Sequence, residues 1–314
     1  MKGNEVVLGS IGVLVASFLW GTTGTAATFA PDVSPIAIGS AAMGIGGIMQ
    51  LLLAKRLISY SRSEIVRQWR LLLVGAIAIG VYPLAFYSSM KLAGVAVGTV
   101  VSIGLAPLIS ALLERIIDKK QLSIRWKIGA TVGIAGVVLL CLAKPGSHPD
   151  IQAVAYNKVA GVLMGFVAAL TYALYSYVAH KLMQRGVASR AAMGILFGLG
   201  GALLIPVLLF TGGSFLHSWS NLAVGVYMAS IPMFLGYICF GYGLSKISAS
   251  TATTLSLFEP AVATLLAVAI VGEHIPLIAW NGIGLIVVCL FILTTPGLEM
   301  NLLKGGRKTV MSER

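Results

Sequence analysis

Ten long apolar stretches, separated by short polar segments, follow one another along the chain. About 20 residues of α-helix cross the roughly 30 Å hydrocarbon core of a bilayer, so each stretch predicts one transmembrane helix. The predicted spans are 6–29, 35–54, 71–90, 95–113, 128–143, 159–179, 191–210, 222–244, 248–271 and 277–295. The pattern therefore predicts an all-α membrane protein with ten transmembrane helices.

Positive charge is sorted between the two ends of these predicted helices. When the connections are assigned alternately to the two faces of the membrane, nineteen of the 22 lysines and arginines fall on one face. Only Lys91, Lys144 and Lys158 fall on the other. A missed or invented helix would invert the alternation and destroy this sorting. Because basic loops stay in the cytoplasm, both termini are expected there, with the bacterial inner membrane as the default location.

Composition narrows the class of protein. The 314 residues are 58% hydrophobic and only 10% charged, as in integral membrane proteins. The net charge of +12 is assigned to short loops that face anionic lipid, not to nucleic-acid binding. Cys141, Cys239 and Cys289 lie in separate spans, and the four histidines are dispersed. With no HExxH or GxSxG motif, we expect no metal, no other cofactor and no enzymatic activity.

The two halves of the chain resemble each other. A triplet is repeated at a constant shift of 155 residues: Tyr82, Tyr87 and Lys91 in the third span, and Tyr237, Tyr242 and Lys246 in the eighth. Five helices per half is an odd number, so the second copy must enter the membrane upside down. We therefore predict two inverted five-helix repeats, at 1–145 and 155–300, and a cytoplasmic tail at 301–314.

Glu259 is the strongest candidate for a functional side chain, because it alone among ten acidic residues lies near the middle of a span. A carboxylate at that depth costs about 2.5 kcal/mol or more, so it usually faces a wet cavity or a partner. It could bind a cationic group of a solute, exchange a proton during transport, or be a protonated packing group. Ser256, one turn earlier, could bond Glu259 or the solute. Pro260 is expected to break the helix beside it, as is Pro107 in the fourth span.

Aromatic and small polar side chains inside the spans form a second group of candidates. Aromatic rings there can stack on a planar solute or make cation–π contacts, although ordinary packing is the alternative for each. The aromatic candidates are Trp20, Tyr82, Tyr172, Tyr175 and Tyr237. The polar candidates are Ser102 and Asn281, with Thr22, Thr23 and Thr99 as weaker ones. Together these residues predict one solute site between the halves.

Short motifs resemble those of the drug/metabolite transporter superfamily, in particular its EamA-type members. They are Trp20-Gly21 in the first span, Tyr87 to Lys91 before the fourth, Phe258-Glu259-Pro260 in the ninth, then Gly272-Glu273, and Trp280 with Gly282 and Gly284. The resemblance implies a 5+5 inverted topology and transport of small metabolites, often outward and with proton exchange. The first half lacks a counterpart of Glu273, since Ile117-Asp118 stands there, which leaves any coupling to Glu259 alone.

The leading hypothesis is a secondary transporter that moves a small organic solute across the inner membrane by alternating access. Export of an amino acid or related metabolite, possibly coupled to protons, is the preferred form. The alternatives are a multidrug or quaternary-amine exporter, a proton-independent facilitator, a membrane enzyme acting on a lipid, and a structural subunit. The expected partners are the solute, protons and membrane lipids, with the protein a monomer or homodimer.

Overall fold

The computed structural model describes residues 2–142, 153–272, 274 and 276–295, and these residues form helices without any β-strand. As the hydropathy pattern predicted, ten helices are long and apolar enough to cross a membrane. We number them α1 (Lys2–Ala27), α2 (Pro35–Tyr60), α3 (Trp69–Ala93), α4 (Val97–Ile117), α5 (Ile124–Leu142), α6 (Ala153–Gln184), α7 (Ser189–Thr211), α8 (Trp219–Leu244), α9 (Ala249–Val271) and α10 (Leu277–Thr294). Lys144, Glu273 and the tail at 301–314 lie outside the described residues.

Several helices run beyond the apolar windows that predicted them. The sixth span was predicted at 159–179, whereas α6 covers Ala153–Gln184. Hydropathy reports only the part of a helix that lies in hydrocarbon, and polar residues such as Lys181 continue the helix into the headgroup region. Between α2 and α3, the polar connection contains a short helix (Arg62–Arg67).

Each half of the chain packs mainly against the other half. α2 lies along α7 and α5 along α10, while α1 packs on α8 and α3 packs on α6. Exchanging the halves, so that α1 becomes α6 and α3 becomes α8, converts the α1–α8 contact into the α6–α3 contact. The same exchange leaves the α2–α7 and α5–α10 contacts unchanged. The main helix contacts are therefore unchanged when the two halves are exchanged.

Glycines allow the paired helices to approach closely. A Cβ added to Gly201 on α7 would lie 2.8 Å from the carbonyl oxygen of Gly44 on α2. A Cβ added to Gly136 on α5 would lie 2.7 Å from the carbonyl oxygen of Gly282 on α10. Helices in lipid have no hydrophobic driving force for association, and small residues allow the close van der Waals packing that takes its place. The α2–α7 and α5–α10 pairs are therefore the closely packed elements that flank the centre.

Three helices depart from regular α-helix within their spans, and the departure at Ala267–Val271 lies at the exposed end of α9. π-helical turns occupy Val100–Gly104 in α4, Ala229–Leu235 in α8 and Ala267–Val271 in α9. α4 also bends at Leu105, just before Pro107, and α9 is interrupted between Leu255 and Phe258, just before Pro260. Each interruption thus lies immediately ahead of a proline at which the sequence predicted a break. Such turns are frequent at functional sites.

Replacing Gly47 with alanine is expected to destabilise the protein by about 1–3 kcal/mol. The added methyl group would overlap the Phe197 carbonyl and push α2 away from α7. Thermal unfolding of the purified protein in detergent, followed by circular dichroism, measures the change. Gly284→Ala on α10 is the control, since no described atom lies within 4 Å of a Cβ there. An unchanged unfolding temperature for Gly47→Ala would contradict this account of the contact.

Candidate functional site

A cavity of about 580 Å³ lies between the two halves and reaches the helix ends at the face opposite the basic loops. Its wall at that face includes Ala27 at the end of α1, Pro35 at the start of α2, Lys91 near the end of α3 and Cys141 near the end of α5. Farther in, Trp20 and Glu259 form its floor. We call this cavity, together with the smaller one beneath it, the chamber. The chamber is therefore open toward one face of the membrane.

The smaller cavity, of about 50 Å³, continues inward from the floor of the larger one. The two share Trp20, Thr23, Phe86, Tyr87 and Glu259 in their walls. The deeper part is surrounded mainly by aromatic rings, which narrow it. A solute entering from the open face would thus reach Glu259 and these rings before it met the narrow part.

Local helix geometry presents the Glu259 side chain to the chamber. α9 stops at Leu255 and resumes at Phe258, and the Glu259 N–H donates to the Ser256 carbonyl at 3.0 Å across this interruption. Within the described residues, the Glu259 carboxylate has no hydrogen bond or ion pair. A carboxylate at membrane depth without a partner requires water, a proton or a bound cation to satisfy it. Glu259 therefore still needs a binding partner for its carboxyl group, which a solute or a proton could provide.

Trp20 connects α1 to the π-helical turn of α8. Its indole N–H donates to the Pro232 carbonyl at 2.9 Å, and its ring lies 4.7 Å from that of Tyr237 and 5.1 Å from that of Phe240. Gly236 makes room for this ring, because a Cβ there would lie 2.9 Å from the indole nitrogen. The indole is thereby held between α1 and α8 and contributes to the walls of both parts of the chamber.

Tyrosines close the chamber on the inner side. The hydroxyls of Tyr175 and Tyr237 lie 2.8 Å apart in a hydrogen bond, and the Tyr172 hydroxyl donates to Ser256 Oγ at 2.7 Å. Tyr82 packs on Tyr172 and Tyr175 with ring centroids 5.7 and 5.8 Å apart. These rings come from α3, α6 and α8, so they join both halves. They form an aromatic layer between the chamber and the basic face.

Below the aromatic layer, a buried carboxylate ties α4 to α9. Glu114, 1% exposed, accepts hydrogen bonds from the backbone N–H of Ser250 at 3.2 Å and from its hydroxyl at 2.7 Å. Lys120 lies 3.5 Å from the same carboxylate. Glu114 thereby caps the first turn of α9, where a negative charge is favourable. Glu114 is therefore a buried link between α4 and α9.

Two further contacts close the basic face. The Trp126 indole N–H on α5 donates to the Ser250 carbonyl at 3.2 Å and to Thr254 Oγ1 at 3.1 Å. Asp118 pairs with Lys181 and accepts a hydrogen bond from the Tyr177 hydroxyl at 3.0 Å. Partial burial acts to raise the pKa of Asp118, but the hydrogen bonds from Lys181 and Tyr177 and the charge of Lys181 outweigh it and lower the pKa. Asp118 is therefore ionised at neutral pH and keeps α4 attached to α6.

The sequence candidates separate into those that line the chamber and those that do not. Trp20, Tyr82, Tyr172, Tyr175, Tyr237 and Glu259 line it together, as do the weaker candidates Thr23 and Thr99. Ser256 is buried behind Tyr172 and donates to the Thr253 carbonyl at 2.8 Å. Ser102 is buried in the π-helical turn of α4, and Asn281 is exposed on α10; neither lines the chamber.

Sequence reasoning did not select three residues that line the chamber, namely Phe86, Tyr87 and Lys91. Tyr87 and Lys91 belong to the repeated triplet, so the repeat itself carried a signal for them. Gly39 on α2 makes room for the Tyr87 ring, which a Cβ there would overlap. Phe86 stacks on Tyr82 at 5.7 Å, and one apolar side chain among many in an apolar helix gives no such signal.

Comparison with known proteins agrees with this architecture. The model of the EamA-like transporter family matches residues 7–142 and 159–295. The chain belongs to the EamA-like transporter family. It is a multi-pass membrane transporter of a small-molecule substrate.

This EamA-like transporter has relatives among bacterial proteins. An uncharacterized transporter, YwfM, of Bacillus subtilis is 34% identical over 94% of this chain and 95% of its own length. A probable terminal-alkyne amino-acid exporter of Streptantibioticus cattleyicolor is 24% identical over 57% of this chain and 58% of its own length. A solved crystal structure superimposes with a TM-score of 0.73 at 20% identity, covering 90% of this chain and 95% of that one, which shows a shared fold.

A cysteine placed at Thr99, in the wall of the chamber, should react with a membrane-impermeant thiol reagent only from the face opposite the basic loops. The protein would carry Ser in place of Cys141, Cys239 and Cys289 and would be reconstituted in vesicles. We expect at least tenfold faster labelling from that face, because the aromatic layer and Glu114 block the other. Ser110→Cys, buried at the closed end of α4, is the control and should label slowly from both sides. Equal rates from both faces at Thr99 would contradict the closure described above.

Proposed function

We propose that this protein is a secondary transporter that exports a small organic metabolite, of the amino-acid type, by alternating access. The observation that carries the proposal is a chamber open at one face, closed at the other, and containing an unpartnered carboxylate at membrane depth. A volume of about 580 Å³ falls within the roughly 300–1,000 Å³ of small-molecule sites. The name of the amino-acid exporter among the relatives supports the same class of solute.

Glu259 is assigned the central role in this proposal. Its carboxylate binds either the ammonium group of the solute or a proton, and exchange between the two couples their movements. Trp20 and Tyr87 flank it and can make cation–π contacts with an ammonium group that sits at the carboxylate. Tyr82, Tyr172, Tyr175 and Tyr237 shape the inner end of the site, and Pro107 and Pro260 set the helix breaks around it.

Alternating access requires the closed basic face to open while the chamber mouth closes. We assign the two repeats to residues 1–145 and 155–300, the second inverted in the membrane, with 301–314 as a cytoplasmic tail. The exchange-symmetric helix packing supports this assignment, because related halves can trade conformations. The contacts that must break for inward opening are those of Glu114, Trp126 and Asp118. Charge sorting supports an inner-membrane location with both termini in the cytoplasm. The proposed transporter works as a monomer or as a homodimer.

A multidrug or quaternary-amine exporter is the second candidate. The observation that favours it is the combination of a carboxylate with the aromatic rings of Trp20, Phe86 and Tyr87, a combination that suits quaternary ammonium groups. A facilitator that needs no proton gradient is the third. Flux that is unaffected by a pH gradient would favour the facilitator, and flux restricted to permanently charged amines would favour the amine exporter.

Glu259→Gln is expected to lower solute flux at least tenfold or to remove its dependence on a pH gradient. The amide keeps the shape of the side chain but can neither carry a negative charge nor release a proton. Protein reconstituted in liposomes would be assayed for counterflow of each of the twenty radiolabelled amino acids, with and without a pH gradient. Glu64→Gln, on the short helix Arg62–Arg67, is the matched control and should transport like wild type. Wild-type behaviour of Glu259→Gln would remove this residue from the mechanism.

Glu114→Gln is expected to shift the protein away from the form with a closed basic face. Hydrogen bonds to a charged group contribute about 1.5–3 kcal/mol, so losing the charge should change the ratio of the two forms roughly tenfold or more. Labelling of the Thr99→Cys protein from the open face should therefore slow, with Glu64→Gln again as the control. An unchanged labelling rate would show that Glu114 does not hold this face closed.

A further inference from the structure

The chamber is lined by one acidic and one basic side chain. Among the described residues that line it, these are Glu259 and Lys91; the others are apolar, aromatic or small polar side chains. Glu259 comes from α9 in the second half and Lys91 from α3 in the first. The site therefore has a carboxyl group at the floor and an amino group at the mouth.

The environment of Lys91 differs from that of Lys246, its counterpart in the other half. Lys246 lies at the basic face and pairs with Glu5 at 3.2 Å, outside the chamber. Lys91 has no carboxylate within ion-pair distance among the described residues. An ammonium group without a carboxylate partner among the described residues, placed in the mouth of an apolar cleft, attracts anionic groups. The two lysines thus occupy equivalent sequence positions but different environments.

Tyr87 relates the two groups in space. Its ring lines both parts of the chamber, beside Glu259, and Lys91 lies one helical turn farther toward the mouth on the same face of α3. A solute bound at Glu259 therefore shares the larger cavity with the Lys91 side chain. Ile38, Phe86 and Ile103 add apolar side chains to the wall of the same cavity.

We propose that Lys91 recognises the carboxylate of a zwitterionic solute whose ammonium group binds Glu259 and whose apolar side chain lies against the wall between them. The inference rests on the proposed function, since it takes Glu259 to be part of the solute site. It narrows the substrate class: an amine without a carboxylate would satisfy only the floor of the chamber. Lys91 is thereby a specificity-determining residue.

The test compares each amino acid with its amide, which keeps the ammonium group but loses the negative charge. L-Leucine, L-leucinamide, L-phenylalanine and L-phenylalaninamide would be titrated against purified protein, with the unfolding temperature as the measure of binding. In wild type, at least one amino acid should bind at least tenfold more tightly than its amide. In Lys91→Gln this preference should disappear through weaker binding of the amino acid, while the affinity for the amide stays within a factor of about two.

Lys246→Gln is the matched control, because it removes the same charge from the equivalent position outside the chamber, and it should keep the wild-type preference. A preference that survives in Lys91→Gln overturns the inference, as does an equal loss of affinity for amino acid and amide. Wild type that binds neither amino acid also overturns it. Glu259→Gln separates failure of the proposed solute site from failure of the role of Lys91. If Glu259→Gln abolishes binding of amino acid and amide, while Lys91→Gln leaves the ratio of the two affinities unchanged, the solute site stands and only the role of Lys91 fails. If Glu259→Gln leaves binding of all four probes unchanged, the proposed function fails as well.

Discussion

The absence of water in the hydrocarbon core is the constraint on which the rest of this structure depends. Backbone N–H and C=O groups there must bond within the protein, so the spans are helices and any interruption has to be sheltered from lipid. In this protein the interruptions of α4 and α9 and the π-helical turn of α8 lie around the central chamber. The closely packed pairs α2–α7 and α5–α10 have no π-helical turn. Around the chamber, irregular backbone therefore occurs where the protein provides a sheltered interior, whereas the π-helical turn Ala267–Val271 lies at the exposed end of α9.

The ten helices and their boundaries to within a few residues could be predicted from the sequence, because an apolar stretch of membrane length has few alternatives. The depth of Glu259 followed from the same pattern. The face on which each side chain lies did not, since these helices are apolar on all sides and lack an amphipathic stripe. Ser102 and Asn281 were proposed on residue type alone. In the structure Ser102 is buried within the π-helical turn of α4, and Asn281 is exposed on α10. Lys91 was visible as part of a repeat, but its position in the chamber depends on how α3 packs against α6.

Glu114 and Glu259 show how one residue type can take two opposite roles in equivalent helices. Glu259 lies beside the proline-associated break of α9, whereas Glu114 lies about two turns beyond that of α4. Glu114 is satisfied by Ser250 and Lys120, so its carboxylate is a fixed element of the closed face. Glu259 has no such partner among the described residues and faces the chamber. Position along the span predicted burial for Glu259 but not for Glu114. Glu114 lies near the end of α4 and is nevertheless buried.

The asymmetry between the halves gives the twofold architecture a direction. A perfectly symmetric pair of repeats would bind the same group equally well from either face and would place equal charges at both ends. Here the second half supplies the floor carboxylate, the first half supplies the lysine at the mouth, and the equivalent Lys246 is neutralised by Glu5. In the proposed transport cycle, the two halves would exchange conformations while carrying different ionisable groups. A dipolar solute would then meet its complementary charges in one order from one face and in the reverse order from the other, which provides a physical basis for orienting it during transport.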